Sequence, residues 1–370
     1  MAARNCLQWI QVLLFISLSV QLISAEHWNY NDTHWSELCE HGLRQSPINL
    51  DIAKAVITNH SPLEFHHYDA KGRVTAVNNG HTELVQGFQS WTEQPYISGG
   101  GLKGRYYLQQ FHFHWGDVDS TGSEHTLHLL HYPMEIHFVH ILEGHNETSV
   151  HNGTGVIAVV SVMLQVADED DVLANLEDAI IATNTSDNVV VKYEYSPAGL
   201  LPKDTATFFR YEGSLTTPPC TEGVIWTILA EPRYVRNELN FLREHATEEG
   251  DHLRHNWRPT QPLNNRVIYL NSSFTQSNGA KHVLEEEALD LFECAESAAR
   301  AWRVSLVTAV RRPRSAVRAR RSSDSEDHPK ARNLTDGVSD EISQPAGCSG
   351  GSISIDLYRD NQELRHTSST

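Results

Sequence analysis

Short apolar or alternating runs, separated by turn residues, follow one another through residues 26–271. The clearest runs are 74–77, 108–115, 135–142, 156–166, 189–195 and 224–229. Alternation with a period of two is typical of half-buried strands, and short continuous apolar runs suit strands buried on both faces. Turn signals such as Asn79-Gly80 and Glu212-Gly213 separate them. The pattern predicts a mostly β domain with few long helices.

One stretch of this body has helical spacing instead. Residues 168–181 begin with an acidic turn, and apolar side chains then recur on one face at Val172, Leu173, Leu176, Ala179 and Ile180. Acidic residues favour the first turn of a helix because its N–H groups are unpaired there. We therefore predict an amphipathic helix over 168–181.

The composition changes after residue 271. Residues 282–310 place apolar side chains on one broad face and predict a further amphipathic helix. Eight arginines lie within 300–321 with no acidic residue among them, and a Ser-, Asp- and Gly-rich end follows. We predict disorder from about residue 311. Residues 318–321 resemble a basic processing site of secreted proteins. Alternatively, the arginine run binds acidic matrix, or the whole extension at 272–370 is a solvated, poorly ordered segment.

The first 25 residues have the pattern of a secretory signal peptide. One arginine precedes an apolar run that ends in Ser24-Ala25, and small residues of this kind suit cleavage after Ala25. A signal anchor is the alternative, but polar residues interrupt the run. No second apolar span follows, so we expect a secreted chain without a membrane span. Six Asn-x-Ser/Thr sequons agree with this, at Asn31, Asn146, Asn152, Asn184, Asn271 and Asn333.

The cysteine count also suits an oxidising compartment. Cys6 leaves with the signal peptide, and an even number remains: Cys39, Cys220, Cys294 and Cys348. Four cysteines permit three pairings.

The net charge and the histidine content limit the kinds of partner and site that the chain can have. Residues 1–271 hold 32 Asp and Glu against 16 Lys and Arg. Such an acidic body is a poor counterpart for a phosphate backbone, so we predict no nucleic-acid partner. Histidine is in excess, with 22 copies, nine of them between His112 and His151.

Two predicted strands place histidines where they can meet. His112 and His114 point the same way on one strand because side chains alternate, while the aromatic residues between them fill the other face. His137 lies on the strand at 135–142. If the two strands are neighbours, three neutral nitrogens converge, which is the ligand set of a catalytic zinc with an open fourth position.

The motifs around these histidines resemble those of the alpha-class carbonic anhydrases. They follow in family order, cover roughly residues 27–270, and read Gln45-Ser-Pro-Ile48, Asn78-Asn-Gly-His81, Gln110-Phe-His-Phe-His-Trp-Gly116, Gly122-Ser-Glu-His-Thr126, Glu135-Ile-His-Phe-Val-His140, Ser214-Leu-Thr-Thr-Pro-Pro219 and Asn256-Trp-Arg-Pro259. The resemblance implies a mostly β (α+β) fold at 26–271. Its centre would be a twisted, largely antiparallel ten-stranded sheet, with short surface helices and a zinc cleft. It further implies reversible hydration of carbon dioxide to bicarbonate and a proton.

The resemblance also implies roles for individual residues. The zinc ligands would be His112, His114 and His137, with hydrogen-bond acceptors for their second ring nitrogens on Gln110, Asn256 and Glu135. Thr216 would donate its hydroxyl proton to Glu124 and orient the attacking oxygen, and Thr217 would lie in the bicarbonate site. An apolar wall for carbon dioxide would comprise Val139, Val159, Leu215, Val224 and Trp226.

Proton release and the disulfide have counterparts in the family as well. His81 would be the proton shuttle, because an imidazole pKa near about 6.5 lets it accept and release protons at working pH. Tyr30 and Asn79 match residues that order the water chain. Glu83, so close in sequence, would raise the pKa of His81. Cys39 and Cys220 would form the disulfide of secreted members.

Two other readings of the chain remain. One is a catalytically silent extracellular binding domain, since such modules occur in adhesion and matrix proteins; they typically lack one or more zinc histidines, which are all present here. The other is a mineral-associated enzyme whose acidic body and tail bind calcium. The chain has no dense Asp repeat to support this reading. The sequence makes no prediction of the oligomeric state.

Overall fold

The computed structural model describes residues 28–32, 34–146, 154–167, 171–236, 238–247 and 249–272. The predicted signal peptide at 1–25, the extension with its helix at 282–310, and Cys294 and Cys348 lie outside these residues. Within the described part of the chain, no helix is long and apolar enough to cross a membrane.

The described residues form fifteen strands and three short α-helices. The strands are β1 Asn49–Leu50, β2 Val56–Thr58, β3 Leu63–His66, β4 Gly72–Asn78, β5 Glu83–Gln86, β6 Tyr96–Gly99, β7 Tyr106–Trp115, β8 Thr126–Leu127, β9 Met134–Leu142, β10 Ile157–Val166, β11 Val189–Tyr195, β12 Phe208–Ser214, β13 Glu222–Leu229, β14 Arg233–Val235 and β15 Tyr269–Asn271. The helices are α1 Glu37–His41, α2 Glu177–Ala182 and α3 Glu238–Arg243. All six strands predicted from the hydrophobic pattern are confirmed, with ends shifted by at most two residues.

One large mixed sheet organises the domain. Its main path joins ten of the described strands in the order β11, β4, β5, β7, β9, β10, β13, β12, β15, β2, and β3, β6 and β14 pair beside this path. Along the path, the described strands run parallel at β10–β13 and β15–β2 and antiparallel elsewhere. The mostly β fold with a largely antiparallel central sheet is confirmed.

The predicted helix over 168–181 is wrong in its extent. Helix α2 begins only at Glu177, and residues 168–170 lie outside the described part. The backbone N–H of Val172 donates to Tyr234 O in β14, and a tight turn joins Leu176 N–H to Leu173 O at 2.7 Å. These bonds keep residues 172–176 out of the helix, yet the predicted apolar face is buried as expected.

The two faces of the sheet carry separate cores. Phe111, Phe113 and Trp115 of β7 are fully buried in the larger cluster, with Phe138 of β9 beside them. The opposite face of the same strands carries His112 and His114. Around them lies a second cluster, which includes Val159 and Trp226. Strand alternation thus places the predicted ligands on one face and their structural support on the other.

A disulfide joins Cys39 in α1 to Cys220, 181 residues later. The pairing expected from the resemblance is confirmed. Cys220 follows directly on the segment with Thr216 and Thr217, and its carbonyl accepts a hydrogen bond from Gln45 Nε2 at 3.1 Å. The bridge therefore anchors the loop that carries both threonines to the N-terminal part of the domain.

Candidate functional site

Three histidines converge on the inner face of the sheet. His112 and His114 project from β7, and His137 projects from the antiparallel neighbour β9, directly opposite His112 in the strand register. One ring nitrogen from each of the three lies within 4.8 Å of the others. The condition set by the sequence, that the two strands be neighbours, is met.

Each of these imidazoles is held by an acceptor for its second nitrogen. Nδ1 of His112 donates to Gln110 Oε1 at 2.9 Å, and Nδ1 of His114 donates to Asn256 O at 2.7 Å. Nε2 of His137 donates to Glu135 Oε1 at 2.7 Å. An acceptor that takes one ring hydrogen fixes the tautomer, so the other nitrogen presents a lone pair. The set is therefore Nε2, Nε2 and Nδ1.

Burial keeps these rings neutral, as metal ligands must be. Burial holds the pKa of His112 well below 6.5, lowers that of His114 to about 4, and lowers that of His137 despite the opposing Glu135. Nε2 of His114 is buried without a hydrogen-bond partner among the described residues. Three neutral nitrogens, one of them a buried orphan, fit Zn²⁺, which favours such donors.

Glu135 is the centre of a fully buried network. Its Oε1 accepts from His137, from His125 Nδ1 at 2.7 Å and from Ser161 Oγ at 2.6 Å, while Oε2 accepts from the His125 N–H. Burial raises the pKa of Glu135, but the N–H groups of His125 and His137, which point at its oxygens, outweigh this effect and hold that pKa well below its usual range. Although His125, Glu135 and His137 also cluster closely, their polar atoms bond one another. These contacts suit a network that supports the three-histidine cluster.

Glu124 lies behind the ligands, fully buried. Its Oε1 accepts the Arg258 backbone N–H at 2.8 Å, and its Oε2 lies 3.5 Å from His114 Nε2. Burial raises the pKa of Glu124 to about 7, against the lowering effects of His137, the Thr216 side chain and the Arg258 N–H. The structure thus brings Glu124 and Thr216 together. Sequence reasoning missed the contact of Arg258, although this residue lies in the quoted 256–259 motif.

A cavity of about 300 Å³ opens in front of the histidines. Most of the predicted substrate residues line it: Val139, Val159, Leu215, Thr216, Thr217 and Trp226. Val224 does not; it is 1% exposed and packs in the core cluster with Trp226. The cavity is further lined by Ile141, Ile157 and Gln109, which the sequence did not single out. Ile141 lies two residues after Val139 on β9, and Ile157 lies two residues before Val159 on β10. The alternation of these strands could therefore have indicated both as cavity residues.

His81 lies in the turn between β4 and β5 and is not among the residues that line this cavity. Its ring stacks on Trp28, with centroids 4.1 Å apart and planes 8° apart. The Trp28 contact was missed, because Trp28 lies outside every motif. Oδ1 of Asn79 accepts the N–H groups of His81 and Thr82, so this oxygen braces the turn.

Tyr30 and Glu83 are both expected to act near His81. The Tyr30 ring contacts those of Trp28 and Trp35, and burial together with the charge of Glu124 raises its pKa. Its role in ordering water stays a prediction. The expected effect of Glu83 on the pKa of His81 stays a prediction. Glu83 is fully buried and its carboxylate bonds His245, because strand alternation turns it into the core.

The predicted sequons differ in accessibility. Asn31, Asn146 and Asn184 are exposed, whereas Asn152 and Asn333 lie outside the described residues. Asn271 is 2% exposed, and its Nδ2, to which a glycan would be joined, donates to Ala206 O at 2.9 Å. The folded domain therefore does not present Asn271 for modification.

The family model of eukaryotic-type carbonic anhydrases matches residues 24–272. The chain belongs to the carbonic anhydrase family. A putative carbonic anhydrase 5 of Caenorhabditis elegans is 39% identical over 282 residues, which cover 70% of this chain and 89% of that protein. Human carbonic anhydrase 7 is 35% identical over 255 residues, 65% of this chain and 96% of its own. A carbonic anhydrase of Klebsiella pneumoniae is 35% identical over 266 residues, 69% and 96% respectively.

Proposed function

We propose that this chain catalyses the reversible hydration of carbon dioxide to bicarbonate and a proton, with Zn²⁺ held by His112, His114 and His137. The observation that carries the proposal is the convergence of three neutral imidazoles, each with its second nitrogen bonded to an acceptor. When bound there, Zn²⁺ would lower the pKa of a coordinated water to about 7, the value established for carbonic anhydrase, and would so supply hydroxide at neutral pH.

Thr216 and Glu124 orient the attacking oxygen. With its hydroxyl proton directed to the Glu124 carboxylate, Thr216 has only lone pairs left for its other neighbour. It therefore accepts a hydrogen bond from the nucleophile and aims a lone pair of that oxygen at the substrate carbon. The Arg258 N–H and the Thr216 side chain both favour the ionised form of Glu124, which this role requires.

The cavity wall selects a small neutral substrate. Carbon dioxide has no net charge and is a weak hydrogen-bond acceptor, so an apolar surface accepts it without leaving polar groups unpaired. Val139, Val159, Leu215 and Trp226 supply this surface, and Thr217 supplies a hydroxyl beside it for bicarbonate.

His81 carries the released proton to bulk buffer. Its position outside the inner cavity requires water molecules between it and the metal centre. Tyr30 and Asn79 are proposed to order that water. An imidazole suits the task because its pKa lies near working pH, where it both accepts and releases a proton.

The chain is proposed to act outside the cell. A signal peptide at 1–25 would direct a catalytic domain at 26–271 and an extension at 272–370 into the secretory pathway. The Cys39–Cys220 disulfide supports this, because such bonds persist in oxidising compartments. Glycans are expected at the exposed Asn31, Asn146 and Asn184.

Stopped-flow carbon dioxide hydration tests the proposal. We expect rapid hydration by the purified secreted protein, its loss after removal of zinc with a chelator, and its return on adding Zn²⁺. Folded protein that binds zinc yet shows no zinc-dependent hydration would instead be the silent binding domain, and the proposed activity would be withdrawn.

A further inference from the structure

A carboxylate and an imidazole meet inside the core, two residues beyond His81. Glu83 and His245 are both fully buried, and Oε2 of Glu83 lies 3.1 Å from Nε2 of His245. Thr183 Oγ1, fully buried as well, lies 2.9 Å from the same oxygen. The second oxygen, Oε1, has no hydrogen-bond partner among the described residues. The proposed chemistry uses none of these three residues.

The position of Glu83 is one that normally takes an apolar side chain. Glu83 and Val85 are buried on the same face of β5, whereas Gln86 is exposed. A buried ionisable pair is costly to desolvate, and well-packed apolar replacements are often equally stable or more stable. Stability alone therefore does not account for a glutamate here, and a positional role is the alternative.

The hydrogen bonds around Glu83 Oε2 depend on which groups carry a hydrogen. Nδ1 of His245 lies 3.2 Å from Phe241 O, which only accepts, so Nδ1 carries a hydrogen. In a neutral ring with its hydrogen on Nδ1, Nε2 has only a lone pair, and it faces the carboxylate oxygen of Glu83. Two acceptors at this distance need a hydrogen between them. Thr183 has one hydroxyl hydrogen, for which Ala179 O at 2.8 Å competes with Glu83. Strand β5, the residue after α2 and the segment after α3 thus meet at a single oxygen.

The same segment holds the other strand of the hairpin. Asn78 lies opposite Glu83 in the β4–β5 register, and its Nδ2 donates to Ala246 O at 3.0 Å. Ala246 is the neighbour of His245. Both strands are therefore anchored to residues 245–246 at the point where they leave the sheet and enter the turn.

The turn between these anchors has little freedom of its own. Asn79 N–H donates to Thr82 O, and Asn79 Oδ1 accepts the N–H groups of His81 and Thr82. Thr82 Oγ1 in turn donates to Phe113 O, between the two ligands of β7. Besides this contact and the bond from Asn256 Nδ2 to His81 O at 3.1 Å, the anchors at its base hold the turn, so their loss would let it shift relative to the three histidines.

We propose that Glu83 and His245 are positioning residues that fix the turn carrying His81 at the distance proton transfer requires. The proposal rests on the proposed function, because it assumes that His81 is the shuttle. Proton transfer through bridging water depends steeply on geometry, and displacements of about 1 Å cost up to about a hundredfold in rate. Removing the pair would impair proton release and leave the chemistry at the metal intact.

The test compares Glu83→Ala and Glu83→Gln with the control Glu64→Ala, an exposed glutamate on β3. In stopped-flow hydration, kcat/KM reports the attack on carbon dioxide, and kcat in dilute bulky buffer reports proton release. For Glu83→Ala we expect kcat to fall about tenfold with kcat/KM unchanged. A small imidazole buffer that enters the cleft should restore kcat, because it accepts the proton without His81.

Glu83→Gln is the conservative variant. Its amide nitrogen can donate to His245 Nε2 and to Thr183 Oγ1, while the threonine hydroxyl donates to Ala179 O. The turn would stay in place, so we expect most of the wild-type kcat and no buffer rescue. Glu64→Ala should match wild type in both parameters.

A second variant covers the case in which Glu83→Ala does not fold. Glu83→Leu combined with His245→Phe replaces the pair by apolar packing, so it should fold and retain zinc, with kcat lowered as in Glu83→Ala. Unchanged kcat in either folded variant, or equal losses of kcat and kcat/KM, would overturn the positioning role. His81→Ala, assayed alongside, separates the two proposals: an unchanged kcat there would refute the shuttle itself and the positioning role with it.

Discussion

His112 and His137 lie directly opposite each other on β7 and β9, and their rings stand almost perpendicular, 88° apart, with centroids 5.3 Å apart. Neighbouring strands thus bring two of the three proposed ligands together at a single pair of opposed residues. The site is thus built into the most extensive pairing of the sheet, and its geometry does not depend on a flexible loop.

Loss of one ligand from this pair should abolish tight zinc binding. His137→Ala leaves two imidazoles, too few for a catalytic zinc site, which uses three protein ligands. We expect metal analysis to show less than about a tenth of the wild-type zinc content, with circular dichroism unchanged. The exposed His145→Ala is the control. Full zinc content in His137→Ala would refute the ligand assignment.

Loss of an acceptor behind a ligand should weaken binding less. Gln110→Ala removes the bond that fixes the tautomer of His112. Because such outer partners typically contribute ten- to a hundredfold in affinity, we expect zinc affinity to fall by about tenfold or more. Competition with a chromogenic chelator measures the change, and the exposed Gln89→Ala serves as the reference. Equal affinities of both variants would show that Gln110 has no such role.

A large side chain on the cavity wall should block carbon dioxide and leave the metal in place. Val139→Tyr fills part of the 300 Å³ cavity. We expect kcat/KM to fall by about a hundredfold, since the substrate is displaced from the attacking oxygen. The control is Val56→Tyr on the exposed edge strand β2. If zinc is retained and hydration is not slowed, the wall does not hold the substrate.

Breaking the Cys39–Cys220 bridge should lower stability strongly. The bridge closes a loop with a sequence separation of 181 residues. In the chain-entropy account a loop of this length contributes about 5 kcal/mol by restricting the unfolded chain. Urea unfolding of Cys39→Ser combined with Cys220→Ser measures the loss. A change below about 1 kcal/mol would contradict the account.

The stability of the wild type relative to Glu83→Gln should depend on pH. Burial raises the pKa of Glu83 above 4.5, against the lowering effects of His245 and Thr183. A raised pKa in the folded state gives stability that is fully present below the unfolded pKa and is lost as pH rises through the folded pKa. The amide does not titrate. We therefore expect the wild-type melting temperature to fall relative to that of Glu83→Gln between pH 4 and pH 8. A constant difference, or one of opposite sign, would contradict the raised pKa.

The strands and ligands were predictable because they depend on short-range pattern. Alternation in β7 places His112 and His114 on one face and Phe113 on the other, and both placements need only neighbouring residues. The partner strand and the acceptors on Gln110 and Glu135 came with the motifs. These features could therefore be predicted from short stretches of the sequence.

Contacts between distant segments were not predictable in this way. Glu83 meets His245 across 162 residues, and no local pattern at either position indicates the other. The same holds for Trp28 on His81, since an aromatic residue near the N-terminus has many possible partners. The start of α2 was misjudged because the N–H of Val172 bonds Tyr234 O, a tertiary contact that helical spacing does not reveal.

Asn256 contacts both the histidine cluster and the turn that carries His81. Its backbone oxygen accepts from His114, and its side chain bonds the backbone of His81, Phe113 and Trp115. The proposed zinc binding and the proposed proton exit therefore share a structural element at this residue, and a substitution of Asn256 would affect both. If the proposed roles hold, substitutions that tune turnover without loss of zinc are expected elsewhere, for instance at the base of the hairpin, where Glu83 and His245 meet.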